Sequence, residues 1–491
     1  MTAPSLGVAV RGVLRRAIEV YRDSPEASRW LQHHVTRFDE PLRLAIAGKV
    51  KAGKSTLLNA LVGEEIAPTD AGECTRLVTW YSNGHRPGVT LFPTQGAPRQ
   101  LRIHREGQGA LQIDLEGTPV EAVDRLVVSW PSTSLRATTL IDTPGIGSLS
   151  LETSERTAMF LTPEESPTAA DAVLYLMRHL HGTDVRFLES FHDQGVAKAA
   201  PVNTIAVLSR ADEIGVGRLD ALTSAGRIAD RYRRDEKLRG LAQTVIAVAG
   251  LLAHTGRTLR QDEYKALTTL NALPKAELEG MLLTADRFVR PDQPVDPPTE
   301  TRLRLLDRFG LFGVRLSMHL LQEGTSDPAV LAQQLVERSG LDELRKLLAA
   351  QFTERRDLLK ARSALLAVEL VLRREPRPAA SQLAMEVERV LAGAHEFAEL
   401  RLLTDLRTQH VKLPKDVQDE AERLLGGDGG APAARLGMSG ETDPAQVRSA
   451  ALEALSRWQR RAESPLSGRN VADAARVVVR SCEGMLADLP R

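Results

Sequence analysis

Eight consecutive residues, Gly48-Lys49-Val50-Lys51-Ala52-Gly53-Lys54-Ser55, fit the phosphate-loop pattern G-x-x-x-x-G-K-[ST]. An apolar run of strand length, Leu42 to Ala47, precedes them, and Thr56 to Val62 reads as the first turns of a helix. Strand, tight glycine-rich loop and helix N-terminus together make an anion cradle. Successive backbone N–H groups point inward, and the helix dipole favours negative charge. In such a loop Lys54 reaches the β- and γ-phosphates, Ser55 ligates Mg²⁺, and Thr56 sits beside the nucleotide. The competing reading, a glycine-rich surface turn, gives no reason for the strand and helix on either side. Arginine far outnumbers lysine in this chain, yet Lys49, Lys51 and Lys54 all fall in this one loop. A compact ammonium is not replaceable by a guanidinium at a phosphate.

Four further features narrow the nucleotide. Leu140-Ile141-Asp142-Thr143-Pro144-Gly145 reads as a strand ending in D-T-P-G, where Asp142 can hold Mg²⁺ through water and the Gly145 N–H can sense the γ-phosphate. Upstream, in Pro68-Thr69-Asp70-Ala71-Gly72-Glu73-Cys74-Thr75, Thr75 is the candidate switch threonine that closes on Mg²⁺. The strand Thr204 to Leu208 leads into Ser209-Arg210-Ala211-Asp212. There Asp212 can accept from the N1–H and N2–H₂ of guanine, which adenine does not offer, and the Arg210 stem can cover the base. A helix N-cap is the bland alternative for Asp212. After the strand Thr244 to Val248, Ala249-Gly250 stands where a backbone N–H meets guanine O6. No glutamine adjoins the D-T-P-G motif, since Ile146 follows Gly145. Water positioning is then left to backbone, to Thr75 or to a partner.

The stretches GKVKAGKSTLLNAL, PTDAGECT, DTPGIGS and SRAD, and the distances between them, resemble those of dynamin-like GTPases, in particular the bacterial isoniazid-inducible group of mycobacteria. The resemblance implies GTP hydrolysis with Mg²⁺, coupled to membrane binding or remodelling, and dimerisation across the nucleotide face. Lys51 departs from the wider class, whose members carry a cation-binding Ser or Asn, or an arginine finger, at that position. Charge builds near the β–γ bridge in phosphoryl transfer. Lys51 is therefore expected either to supply that charge in place of K⁺ or Na⁺, or simply to raise phosphate affinity.

The elements around these motifs fit 491 residues and two to three domains. Residues 5–38 alternate apolar and charged positions at helical spacing, broken at Ser24-Pro25, so 1–40 read as neck helices that precede the first strand. Residues 41–350 read as an α/β GTPase domain, with hairpin material over 89–130 and a buried strand over 171–177. His179 and His181 lack a Cys/Asp/Glu cluster and read as loop or interface residues. Residues 351–491 read as an elongated helical stalk. A helix from Leu341 to about Leu372, ~48 Å long, is followed by a returning one from Ala380 to about Leu425, kinked at Pro414. Asp443-Pro444 opens a third to Glu463, and Val471 to Leu486 is a fourth. This layout puts the turns at 373–378 and 464–469 at one end. Arg373, Arg374, Arg377 and Arg469 there could meet anionic head groups at ~1 kcal/mol each, with Leu466 as a wedge. Ordinary helix turns with cations at C-termini are the alternative.

Charges balance, 64 basic against 64 acidic, and 4% of residues are aromatic. This argues against a nucleic-acid partner driven by phosphate attraction or base stacking. Two distant cysteines, Cys74 and Cys482, suit a reducing cytosol rather than a disulfide. No signal peptide and no span of ~18 apolar residues is legible, so a cytoplasmic protein, at most peripheral at the inner face of the cell membrane, is expected. The alternative to direct membrane work is nucleotide-gated assembly, as a homodimer or with a related GTPase.

Overall fold

A computed structural model of the chain describes residues 5–68, 76–105, 111–145, 169–192, 203–291, 295–438 and 442–489. Thr75, Cys74 and Ile146 lie outside them. Two helices, α1 (Leu6–Val20) and α2 (Pro25–Asp39), precede the sheet. The first strand, β1 (Leu42–Gly48), is buried along all 7 residues, which is why it reads as apolar but for Arg43, whose guanidinium pairs with Glu40 at 2.6 Å. The strands that follow are β2 (Thr79–Asn83), β3 (Gly88–Pro93), β4 (Arg99–Leu101), β5 (Ile103–His104) and β6 (Gln112–Ile113). After these come β7 (Val123–Trp130), β8 (Thr138–Asp142), β9 (Ala172–Met177), β10 (Thr204–Ser209) and β11 (Val245–Val248).

Nine of them form one sheet in the order β11-β10-β9-β1-β8-β2-β7-β3-β4, while β5 and β6 pair separately. From β11 to β8 all pairings are parallel. The β2–β8, β3–β7 and β3–β4 pairings are antiparallel, so the 89–130 region is indeed hairpin material. Alternate residues of β1 enter opposite cores. Ala45 and Ala47 face one cluster with Tyr175 and Leu208; Leu44 and Ile46 face the other with Leu58 and Val207. The covering helices include α3 (Lys54–Val62), α4 (Gly182–His192), α5 (Gly250–Arg257), α6 (Thr299–Gln322), α7 (Pro328–Arg338) and α8 (Leu341–Leu348). The parallel strands all end at one edge, where ligands of open α/β sheets bind.

The helical remainder departs from the four long helices expected. The run from Leu341 is not continuous. A π-helical turn, Ala349–Thr353, separates α8 from α9 (Arg356–Arg374). Beside the widened turn, Gln351 donates to the Gly427 carbonyl at 2.9 Å and Arg355 donates to the carbonyls of Leu425 and Gly426. The returning helix is three: α10 (Ala380–Gly393), α11 (His395–Arg407) and α12 (Lys415–Leu424). Ala394 at ψ 116° makes the first break, and Gln409 at φ 61° lies in the second. Pro414 kinks nothing; it is the extended N-cap residue of α12. The last two helices are α13 (Pro444–Glu463), capped by Asp443, and α14 (Arg469–Asp488).

These helices pack around two apolar cores, giving two bundles. Val10, Leu14, Leu31, Leu365, Val368 and Leu383 pack α1, α2, α9 and α10 together. Leu406, Ala421, Trp458, Val478 and Cys482 pack α11 to α14. The 373–378 turn therefore closes the first bundle, and the 464–468 turn joins two helices of the second.

Candidate functional site: a phosphate loop beside a base pocket

Gly48 leaves β1 at φ 148°, and any Cβ there would overlap the carbonyl of Leu176 in β9. Only glycine lets the loop start so close to its neighbour. Lys51 stands at φ 61°, a left-handed conformation that costs a non-glycine residue about 1–2 kcal/mol, and its side chain is exposed. Gly53, at φ 89°, opens α3. Ala52 is buried under the loop, and Val50 is exposed.

Lys54 points back into the loop, its Nζ donating to the carbonyls of Gly48 and Lys49 at 3.3 Å each. Burial lowers its pKa, against the raising influence of Asp142. Ser55 Oγ donates to Asp142 Oδ2 at 2.7 Å. Asp142 Oδ1 is buried and has no hydrogen-bond partner. Burial pushes this carboxyl above the ordinary range, with Lys54 and the Ser55 hydroxyl opposing. A hydroxyl and a carboxylate with an unused buried lone pair are the hard oxygen donors that Mg²⁺ selects, so the residues fit that ion.

Thr143 anchors the next turn by donating from N–H and Oγ1 to the carbonyl of Ile46, at 3.3 and 3.0 Å. That turn brings Gly145 onto the phosphate loop, where an added Cβ would lie 2.8 Å from Val50 Cα. The close approach explains why glycine is required.

The candidate base pocket joins three elements. Gly53, Thr56 and Leu57 line one wall, Ser209, Arg210, Asp212 and Glu213 another, and Gly250 and Leu251 a third. Burial raises the Asp212 carboxyl. Ser209 Oγ donates to the Met177 carbonyl at 3.3 Å, which fixes the turn. Arg210, at φ 53°, pairs with Glu213, which also receives Arg178. Ala249 is fully buried and its N–H donates to the carbonyl of Ser339 at 2.9 Å. Gly250 and Leu251 bring first-turn N–H groups of α5 to the pocket, where helical donors have no intrahelical partner.

Two participants had no decisive signal in the sequence. Asp184, fully buried at the start of α4, pairs with Lys49 Nζ at 3.0 Å and accepts from the Tyr175 hydroxyl at 2.7 Å and the His181 N–H at 2.9 Å. It holds the Lys49 ammonium against α4. Glu213 is the other; its place one residue after Asp212 was the only hint. The rings of His179 and His181 meet edge-on at 6.4 Å, and among the described residues no group of three or more His, Cys, Asp or Glu could hold a metal.

The five tip residues are not brought together. Arg373 pairs with Glu369 at 3.4 Å, and Arg377 pairs with Asp23 and Glu375 and stacks on Tyr21. Arg374 sits beside them, while Leu466 and Arg469 lie fully exposed on the second bundle.

The dynamin family model matches residues 44–209, which span the loop, the D-T-P-G strand and β10. The isoniazid-induced protein IniC of Mycobacterium tuberculosis is 42% identical over 489 residues, 98% of each chain. The chain belongs to the dynamin family. It is a GTPase, with the α/β GTPase domain and helical remainder of the bacterial dynamin-like proteins. A bacterial dynamin-like protein of Nostoc punctiforme is 26% identical over 284 residues, 54% of this chain and 37% of that one. A solved chain from "an oligomerised bacterial dynamin pair" aligns over 98% of this chain and 79% of that one, at 15% identity and a TM-score of 0.31. At that score the superposition adds nothing to the family assignment. Among the described residues of this dynamin-like GTPase, no helix is long and apolar enough to cross a membrane.

Proposed function

We propose that this dynamin-like GTPase hydrolyses GTP with Mg²⁺ held by Ser55, Asp142 and Thr75, pairs with a second GTPase head through its nucleotide face, and uses turnover to move its helical bundles against a membrane. The observation that carries the nucleotide part is the buried, unpartnered Asp142 Oδ1 beside the Ser55 hydroxyl at the end of the phosphate loop. When bound, Mg²⁺ neutralises charge on the β- and γ-phosphates. The chain's own groups do the rest. Lys54 exchanges its two loop carbonyls for phosphate oxygens. Asp212 selects guanine, and the Gly250 N–H meets O6. Thr75 and the Gly145 N–H report the γ-phosphate. Lys51 supplies positive charge near the β–γ bridge in cis. Hydrolysis that depends strictly on K⁺ would sink the Lys51 assignment.

The membrane part rests on the family, with the protein cytoplasmic and peripheral at the inner face. A specific observation favours the second reading, nucleotide-gated assembly without lipid contact. Arg373 and Arg377 already have acidic partners, and the candidate tip is divided between two bundles.

The deciding experiment is GTP turnover with and without anionic liposomes at fixed salt, beside Lys54→Ala and the pair Arg373→Glu/Arg374→Glu. Lipid-stimulated turnover and pelleting, both lost in the Arg pair, support membrane work. Turnover indifferent to lipid, with no pelleting, leaves the assembly reading.

A further inference from the structure

A second polar cleft lies away from the nucleotide, between the GTPase domain and the second bundle. It encloses about 410 Å³ and is walled by residues 232–245 on the GTPase side and by α11, α12 and the turn after α12 on the other. Five cations line it against three carboxylates. Arg233 is engaged elsewhere, donating to the Val245 carbonyl at 2.7 Å and pairing with Asp230 at 3.1 Å.

The charge pattern at the centre is unbalanced. One carboxylate, Glu422, serves two guanidiniums from opposite walls, Arg239 at 2.5 Å and Arg407 at 3.3 Å. Gln418 Nε2 donates to the same carboxylate at 2.8 Å. The Arg407 side chain is 6% exposed, and its Nη1 is buried without a hydrogen-bond partner. A buried guanidinium N–H left unmade is costly, the more so for a charged group. Arg234 and Lys415 are exposed on the two walls and have no ion-pair partner among the described residues. Asp419 and Asp428 are exposed at the same cleft, and neither reaches Arg407 within ion-pair distance.

We propose that this cleft is a binding site for a phosphate group, inorganic or carried as a phosphate monoester, that bridges the GTPase domain and the second bundle. Arg239 and Arg407 present planar donor forks that suit a tetrahedral oxyanion. Arg234 and Lys415 close over it. The anion supplies the acceptor that Arg407 Nη1 lacks, while Glu422 keeps its pairs with Arg239 and Arg407. Residues 242–245 of the same wall run directly into β11, whose far end borders the base pocket. Occupancy is thereby linked to the guanine side of the nucleotide site.

The test uses the full chain saturated with GDP, so that the phosphate loop is filled. Isothermal calorimetry with inorganic phosphate, against sodium chloride at equal ionic strength, is expected to give saturable heat for phosphate alone. Arg234→Gln/Lys415→Gln, on exposed positions that leave the fold intact, is expected to weaken binding by about tenfold or more with GDP affinity unchanged. Arg407→Gln is expected to abolish it. Flotation with phosphatidylcholine vesicles with and without phosphatidic acid forms the second arm. Binding lost in the double variant in either arm supports the site and identifies the source of the phosphate. No saturable response in either arm, an equal response to chloride, or binding unchanged in the double variant overturns it.

Discussion

Asp142 is a carboxylate folded into a place that does not suit it until something binds there. Its carboxyl is held above the ordinary range by burial, and one oxygen has no partner. A raised folded pKa means the folded state binds the proton more tightly than the unfolded chain. The stability of the nucleotide-free protein is thus expected to fall as pH rises through the carboxylate range. Asp142→Asn should remove that slope and raise the thermal midpoint of the nucleotide-free protein, by about 1–3 kcal/mol in unfolding free energy. The same variant should lose GTP turnover. Calorimetric melts over pH, with a turnover assay beside them, check both. Lys51 permits a cleaner separation of charge from backbone. Lys51→Ala keeps the φ of 61° and removes the ammonium, whereas Lys51→Gly removes both burdens. The glycine variant should be about 1 kcal/mol more stable than the alanine variant. If the ammonium acts in catalysis, their turnover should be equally low. Motif residues were the most legible part of the chain, because phosphate chemistry admits few residue types at fixed spacing. Asp184 was not legible, since an acid opening a helix is commonplace and only the fold reveals Lys49 beside it.

At the scale of elements, the strands were legible for a physical reason. A strand buried on both faces, such as β1, β9 or β10, is mostly apolar, and its short length and flanking turn residues distinguish it from a buried helix segment. The helices were harder. Periodicity continues across Ala394 and across the π-helical turn at Ala349–Thr353, so the breaks are set by tertiary partners such as Gly426 and Gly427. The helix after the base pocket carries a testable burden of its own. His254 in α5 is buried beside Arg308, within the Arg308–Glu263 pair, and its pKa is pushed down to about 4. Burial is the first cause and the Arg308 charge the second. A base with a depressed folded pKa contributes stability that is complete above its unfolded value of 6.5 and lost as pH falls toward 4. The loss should approach about 3 kcal/mol at full protonation. His254→Gln should flatten the stability profile between those two pH values. A profile unchanged by the substitution would show that other groups control the acid limb.

For the whole molecule, the decisive contact is where the first bundle meets the sheet. Arg37 of α2 pairs with Asp171 just before β9 at 2.6 Å, both side chains being almost wholly buried. The other Asp171 oxygen accepts from the Arg43 N–H of β1 at 2.9 Å. From α9, Lys360 donates to the carbonyls of Arg37, Phe38 and Glu40, and Arg356 reaches Glu40 as well. Three cations and one carboxylate thus bind the end of α2, the start of β1 and the start of β9 into one joint. Asp171→Ala would leave Arg37 buried without its counter-charge and should cost about 3–5 kcal/mol. A thermal melt would read that loss, with GDP affinity as the control for an intact head.

That joint grips β1 at its first residues, and the phosphate loop hangs from its last. The whole strand is 7 residues long, about 20 Å at the usual rise, and it pairs with β8 over its first residues and with β9 over its last. A strand paired on both sides and buried along its length is among the most stable parts of a fold. A displacement of the loop is therefore expected to be felt at the joint, in the way a connecting rod carries motion from a piston to a crank.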